Sequence, residues 1–199
     1  MKLVIATQNK GKVAEFGRLF APHGIEVVSL LDYPELPDIE ETGTTFEANA
    51  RLKAETIANL LQLPVLADDS GLNVPYLNGE PGVYSARYAG EPKSDAANIQ
   101  KLLTKLADVP SQDRQAYFVT CLVLAAPNEE SVVVEGRAYG EITTEVRGQG
   151  GFGYDPIFYV DSERATFAEI PAERKNQISH RANALKALMT QLPEWLGAN

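Results

Sequence analysis

Cysteine is almost absent from this chain of 199 residues: Cys121 stands alone, so no disulfide can form within the chain. A chain this long buries enough surface to fold without such a staple. One cysteine fits a reducing compartment, and the apolar stretch Leu3–Ala6 is too short for the core of a signal peptide, so a cytoplasmic location is expected. Cys121 lies within the apolar run Tyr117–Leu124, the setting of a small core residue rather than of a nucleophile. Histidine is nearly as scarce. His23, His180 and Cys121, far apart along the chain, are poor material for zinc catalysis. Nowhere do eighteen apolar residues run together, so no spanning helix is expected. Basic residues are in deficit, 18 against 27 acidic, for a net charge of −9 and a pI near 4.8. That balance speaks against a general partner of nucleic acid or of anionic membrane. It leaves room for a small phosphorylated ligand, which needs only a local cluster of cations and backbone N–H groups.

What is present reads as a single domain over residues 1–199. Leu3–Ala6 predicts a strand, Thr7–Lys12 a polar loop, and the spacing of Phe16, Leu19 and Phe20 a helix from near Val13 that Pro22 and Gly24 end. Ile25–Leu30 reads as a strand, followed by a loop through Pro34 and Pro37. Thr44-Thr45-Phe46-Glu47 has the form of a capping box and opens a helix over about 45–62. Val65–Ala67 reads as a buried strand ending at Asp68-Asp69-Ser70-Gly71, and Ile99, Leu102, Leu103 and Leu106 mark a helix from near Ser94 or Asp95. Two β runs, about 116–125 and 131–139, form a hairpin around Pro127-Asn128. A glycine-rich stretch, Gly148–Pro156, leads into a strand at Ile157–Val160, and a last helix starts near Ser179. Adjacent β runs beside alternating strands and helices predict an α/β fold with a mixed central sheet and flanking helices.

Four segments carry candidate chemistry. The loop Thr7, Gln8, Asn9, Lys10, Gly11 and Lys12 stands between a strand and a helix N-terminus, where free N–H groups and the dipole favour phosphate; it is not a Walker A loop, because Ala6 and Val13 occupy required positions. A surface turn with two lysines is an equal reading of that segment. Asp68 and Asp69, at a strand's exit, would repel unless a cation or proton intervened, and hard oxygen ligands without histidine favour Mg²⁺. Asp-Asp-Ser-Gly is also ordinary turn chemistry, and the pair Glu40-Glu41 alone reads best as a solvated cap. Gly148, Gly150 and Gly153 formally spell a dinucleotide fingerprint, which Pro156 and the following β run exclude because that motif must open a helix. The glycines imply unusual backbone, close ligand approach or a mobile hairpin tip. Finally, Lys175 and Ser179-His180-Arg181 place cations at a helix start, a poor match for the dipole unless an anion binds there. A Ser70–His180–Asp triad lacks the G-x-S-x-G elbow and is set aside.

Taken in order, Thr7–Lys12, Glu40–Gly43, Phe46–Lys53, Ala67–Gly71, Pro81–Tyr88, Gly151–Pro156 and Ile178–Arg181 make the chain similar to the inosine/xanthosine triphosphate pyrophosphatase family. The resemblance implies an elongated two-lobed α/β domain with a cleft between its lobes, acting as a homodimer. It also implies Mg²⁺-dependent conversion of dITP, ITP and XTP to the monophosphate and pyrophosphate, with one Mg²⁺ per subunit and no nucleic-acid or membrane partner. Carried over by position, Thr7–Lys12 bind the triphosphate, and Glu40 and Asp69 hold the metal, with Glu41 and Asp68 as further candidates. Asp69 is also the general base, Ser70 contacts substrate, and Lys53 faces the phosphates. Phe152, Gly153, Tyr154, Asp155, Lys175, His180 and Arg181 enclose base and sugar, with backbone N–H groups and Arg181 as donors to a 6-keto group and Phe152 or Tyr154 stacking on the base. Tyr84, Tyr88 and Trp195 stay open between core, cleft and interface.

Overall fold

Side chains alternate across β-strands, and the short strands at the start of this chain use that alternation to build two separate cores. The structure, a computed structural model, describes residues 2–197, and of 193–197 the backbone alone. Seven strands form one sheet in the order β2-β1-β3-β4-β5-β6-β7: β1 (Lys2–Ile5), β2 (Glu26–Ser29), β3 (Val65–Asn73), β4 (Gln115–Ala125), β5 (Val132–Ile142), β6 (Phe158–Val160) and β7 (Ala165–Thr166). β1 pairs parallel with β2 and β3, whereas β5, β6 and β7 run antiparallel, so the sheet is mixed as expected. The helices are α1 (Lys10–Phe20), α2 (Phe46–Leu61), α3 (Asp95–Lys105), α4 (Ala172–Ile178) and α5 (His180–Gly197).

The described chain forms two compact units. One comprises the residues up to Asp69, Thr120–Gly136 and the residues from Arg181; the other comprises Ser70–Val119 and Arg137–His180. In the first, Leu3, Ile5, Leu66, Leu122 and Leu124 pack with Phe16, Leu19 and Phe20 of α1 and Leu185 and Leu188 of α5. The residues between them point the other way. Val4, Val65, Ala67, Cys121 and Val123 pack with Ala50, Ala54, Ile57 and Ala58 of α2. In the second unit, Leu72, Ile99, Leu102, Leu106, Ala138, Phe158 and Phe167 share one core, with Phe118 tilted on Phe158 at 4.5 Å between ring centroids.

Several expected boundaries move, each for a local reason. β3 does not stop at Asp68 but continues to Asn73, because buried cations accept the acids that a free strand would reject. α1 starts at Lys10, since Asn9 supplies its cap, and α2 is capped by Thr45, whose hydroxyl accepts from the Ala48 N–H. With Thr45 as the cap, Glu47 sits at the second helical position, one short of the third that a capping box requires, and the box headed by Thr44 does not form. The last helix, α5, begins at His180 as expected, and α4, a short helix not expected from the sequence, ends just before it at Ser179, whose backbone is extended. β6 starts one residue late because a short 3₁₀ turn, Asp155–Ile157, precedes it. Tyr88 is core, Tyr84 is exposed, and the side chain of Trp195 lies outside the described residues. Cys121 is buried, which pushes its thiol up to about 12, as suits a core residue. Thr45→Ala is expected to lower stability by about 1 kcal/mol, and Thr44→Ala to stay within about 0.5 kcal/mol of the wild type; thermal unfolding of both reads which threonine caps α2.

Candidate active site

Leu66 faces α1 and α5 while Val65 and Ala67 face α2, so the pleat of β3 dictates where the next two residues go. Asp68 follows Leu66 to the α1/α5 face, and Asp69 follows Ala67 to the α2 face. Adjacent in sequence, the two carboxylates are kept apart by the strand, and each meets its own cations. β1 gives out at the same level: its last register pair is Ile5 with Leu66, and the Ala6 N–H donates to the Leu66 carbonyl at 2.8 Å. The Asp68 carbonyl, one rung further, accepts instead from the Lys53 ammonium at 2.7 Å. A lysine thus stands where a neighbouring strand would have been.

Asp68 is almost wholly buried, at 1% exposure. Its Oδ2 accepts from Nε and Nη2 of Arg181, both at 3.2 Å, and Oδ1 lies 3.0 Å from the Lys12 ammonium. The third arm of Arg181, Nη1, donates to Glu15 Oε2 at 2.9 Å. Burial alone would weaken the Arg181 guanidinium, but Glu15 and Asp68 outweigh it and raise its pKa; for Lys12 burial wins and the pKa falls, despite Asp68. The cationic start of α5 is thereby explained, because its anions are the protein's own carboxylates. Arg181 and Asp68, expected at base and metal, here hold each other.

On the other face, Asp69 Oδ2 accepts from Asn49 Nδ2 at 3.0 Å, and Oδ1 lies 4.0 Å from Lys53 Nζ. Lys53 also donates to Glu41 Oε1 at 2.6 Å. Burial pulls the Lys53 ammonium down, but Asp68, Asp69 and Glu41 together more than offset it. Burial pushes Asp69 the other way, up to about 6; Lys53 opposes that rise and Glu41 reinforces it. Glu41, not Glu40, is the acid brought onto Lys53, and Glu40 is exposed. This donor set suits Mg²⁺: hard carboxylate oxygens from Asp69 and Glu41 without nitrogen or sulfur ligands. Among the described residues no three His, Cys, Asp or Glu side chains form a metal cluster, so a bound ion would complete its shell with water and phosphate oxygens.

The Thr7–Lys12 loop is more self-satisfied than its composition implies. Asn9 Oδ1 accepts from the Gly11 and Lys12 N–H groups, at 2.9 and 3.2 Å, and Thr7 Oγ1 accepts from the Asn9 N–H. The N–H groups expected to be open to phosphate are therefore partly capped. Lys12 turns inward to Asp68, which leaves Gln8, Asn9 and Lys10 as the exposed members.

The remaining predicted residues belong to the second unit, where Ser70 is half-buried on β3. Asp155 is buried and accepts from Lys175 Nζ at 2.6 Å and from the Phe152 N–H at 3.0 Å. A Cβ on Gly151 would fall 2.0 Å from Asp155 Oδ2, so glycine is obligatory there, and its φ of +70° agrees. Lys175 lies over the half-buried Phe152 ring at 4.8 Å, and the Gly153 N–H donates to Asp95 at 2.8 Å. Tyr154 is buried and donates its hydroxyl to the Ser85 carbonyl at 2.7 Å. His180 stacks on Phe118 at 4.9 Å and 16°. The glycine stretch is a built loop and not a mobile tip, with the Gly150 N–H donating to the Ala168 carbonyl at 3.0 Å.

Glu15 and Asn49 escaped the reading of the sequence, although each left a trace. Glu15 shares a helical stripe with Phe16 and Leu19, and Asn49 shares one with Ala50, Lys53 and Ala54: a polar residue on an apolar face. Two outcomes follow. Arg181→Met would remove the buried cation that Asp68 and Glu15 share, an expected loss of about 3–5 kcal/mol in denaturant unfolding. Asp69→Asn is expected to stabilise the metal-free protein. The folded-state pKa of about 6 lies above the ordinary 3.8, so the charged form is disfavoured by folding above pH 6 and that penalty is relieved as pH falls toward 4. The variant should gain about 3 kcal/mol over wild type at pH 8 and lose the advantage near pH 4, read by thermal unfolding in EDTA.

Known proteins resemble this chain over nearly its whole length. The family model described as Ham1 family matches residues 3–191. The dITP/XTP pyrophosphatases of Halalkalibacterium halodurans and Geobacillus kaustophilus are each 55% identical, over 97% of both chains for the first and over 98% of this chain and 96% of the other for the second. Among solved structures, the Ham1 protein of Staphylococcus aureus is 48% identical with a TM-score of 0.85, covering 98% of this chain and 99% of that one. A Ham1 protein from Coxiella burnetii gives 44% and 0.86 over the same shares. The match takes in β1 from Leu3 onward, the Thr7–Lys12 loop, both acids of β3 and the Lys175–Arg181 stretch, and the chain belongs to the Ham1 family.

Proposed function

We propose that this protein is a nucleoside-triphosphate diphosphatase that converts dITP, ITP and XTP to the monophosphate and pyrophosphate, removing deaminated purines from the nucleotide pool. The observation that carries this reading is Asp69, a carboxylate held between Asn49 and Lys53 with its pKa raised to about 6, in a chain 55% identical to a dITP/XTP pyrophosphatase. A carboxylate of that basicity is suited to take a proton from water at neutral pH. Water's oxygen bonds to phosphorus, Asp69 receives the proton, and the anhydride bond between α- and β-phosphates breaks with its electron pair leaving on pyrophosphate. Lys53, Lys10 and Lys12 add positive charge against the one that builds on the leaving group. One Mg²⁺ per subunit would be held by Asp69 with Glu41 or Glu40 and would supply positive charge against the phosphates.

The triphosphate is assigned to Thr7, Gln8, Asn9, Lys10, Gly11 and Lys12, and Ser70 contacts substrate. Base and sugar are assigned to Phe152, Gly153, Asp155, Lys175 and His180, with Phe152 stacking on the purine. Tyr154 and Arg181 serve the same end through the loop and the carboxylates they hold. Donors aimed at a 6-keto oxygen would be left unpaired by adenine's amino group, which rejects ATP; guanine keeps that 6-keto oxygen, so GTP is told apart at its 2-amino group. The two units act as one domain over residues 1–199, in a cytoplasmic homodimer.

The test is pyrophosphate release from XTP, ITP, dITP, ATP and GTP at equal concentration, with Mg²⁺ and with EDTA. Turnover of the first three, little from ATP and GTP, and none in EDTA is the expected pattern. Asp69→Asn should abolish turnover while remaining folded. Equal rates on every nucleotide would remove the selectivity, and a fully active Asp69→Asn would remove the catalytic assignment.

A further inference from the structure

We infer that Asn49 is a positioning residue, one that fixes the plane of the Asp69 carboxylate relative to the loop carrying Glu41; this rests on the reading of Asp69 and Glu41 given above. Asn49 is 1% exposed, and both ends of its amide are engaged. Oδ1 accepts from the Gly43 N–H at 2.7 Å and Nδ2 donates to Asp69 Oδ2 at 3.0 Å. The orientation of the amide is not arbitrary. A backbone N–H only donates, so oxygen must face Gly43 and nitrogen must face the carboxylate.

The terminal torsion of an aspartate is broad, so an unrestrained carboxylate turns easily. Lys53 Nζ, at 4.0 Å from Oδ1, is beyond hydrogen-bond reach and sets no plane. Asn49 sets one, from a rigid base: its neighbours Ala50 and Ala54 on α2 are fully buried. Asn49 and Lys53 are one helical turn apart, so the same face of α2 carries the amide that orients Asp69 and the ammonium that holds Glu41. The second arm ties down the Glu41 loop. A Cβ at Gly43 would meet Asn49 Oδ1 at 2.6 Å and Ala48 Cβ at 2.8 Å, so the loop approaches the helix closely enough to require glycine. One side chain thus links two carboxylates 28 residues apart in sequence, Glu41 and Asp69, neither of which it replaces in chemistry.

Asn49→Ala removes both arms, and Gly43→Ala strains the loop arm while keeping the amide. The readouts are kcat and KM for XTP with Mg²⁺, and binding of Mn²⁺ alone, followed by electron paramagnetic resonance without nucleotide. Both variants are expected to lose about 10–100-fold in kcat and in Mn²⁺ affinity, as oriented ligands do when their supports are removed, with KM within about 3-fold. A folded variant with lowered Tm but wild-type kcat and Mn²⁺ affinity would make Asn49 a structural residue and overturn the inference, as would a loss confined to KM. If Asn49→Ala does not fold, Gly43→Ala decides. A wild type that binds Mn²⁺ but leaves XTP intact would sink the proposed reaction, and the Mn²⁺ arm would still judge the tether.

Discussion

Everything at the candidate site depends on β3 remaining a strand through Asp68 and Asp69. Two adjacent acids are unfavourable in a buried strand, since each loses its hydration and each repels the other. The pleat relieves the repulsion by sending them to opposite faces, and the helices on those faces supply the compensation. Arg181 and Lys12 meet Asp68; Asn49 and Lys53 meet Asp69. The result is a division of labour between neighbouring residues of the same type.

The two faces differ in how completely they satisfy their acid. Asp68 is surrounded by fixed cations and locked among α1, β3 and α5, the arrangement of a structural ion-pair network. Asp69 meets the Asn49 amide and the more distant Lys53 ammonium, and burial, reinforced by Glu41, outweighs them and raises its pKa. Under-compensation is what a general base or a metal ligand needs, because a carboxylate already saturated by protein donors has little left to offer.

In the second unit the same logic appears in miniature. Asp155 is buried, held by Lys175 and by the Phe152 N–H, and Gly151 is glycine because nothing larger fits beside that carboxylate. Tyr154, which looks from sequence like a surface for a base, is spent on anchoring its loop to the Ser85 carbonyl, and Phe152 is a half-buried ring with Lys175 over it.

Sequence by itself determined the class of fold, the hairpin of β4 and β5, the positions of α2, α3 and α5 to within a residue or two, and the segments that carry polar chemistry. Those features follow from local periodicity and from residue types with strong backbone preferences, both of which are properties of short windows. Tertiary structure decided which polar residues serve the site and which serve the fold. Asp68 and Asp69 are identical in composition and nearly identical in local context, and a turn rich in Asp, Ser and Gly is the ordinary expectation for them. Only the arrival of Arg181, some 113 positions away, and of Lys53 from α2 makes a buried strand the better state. Glu15 and Asn49 were hidden for the same reason: a polar residue on an apolar helix face acquires meaning from the partner it meets, and that partner is remote in sequence.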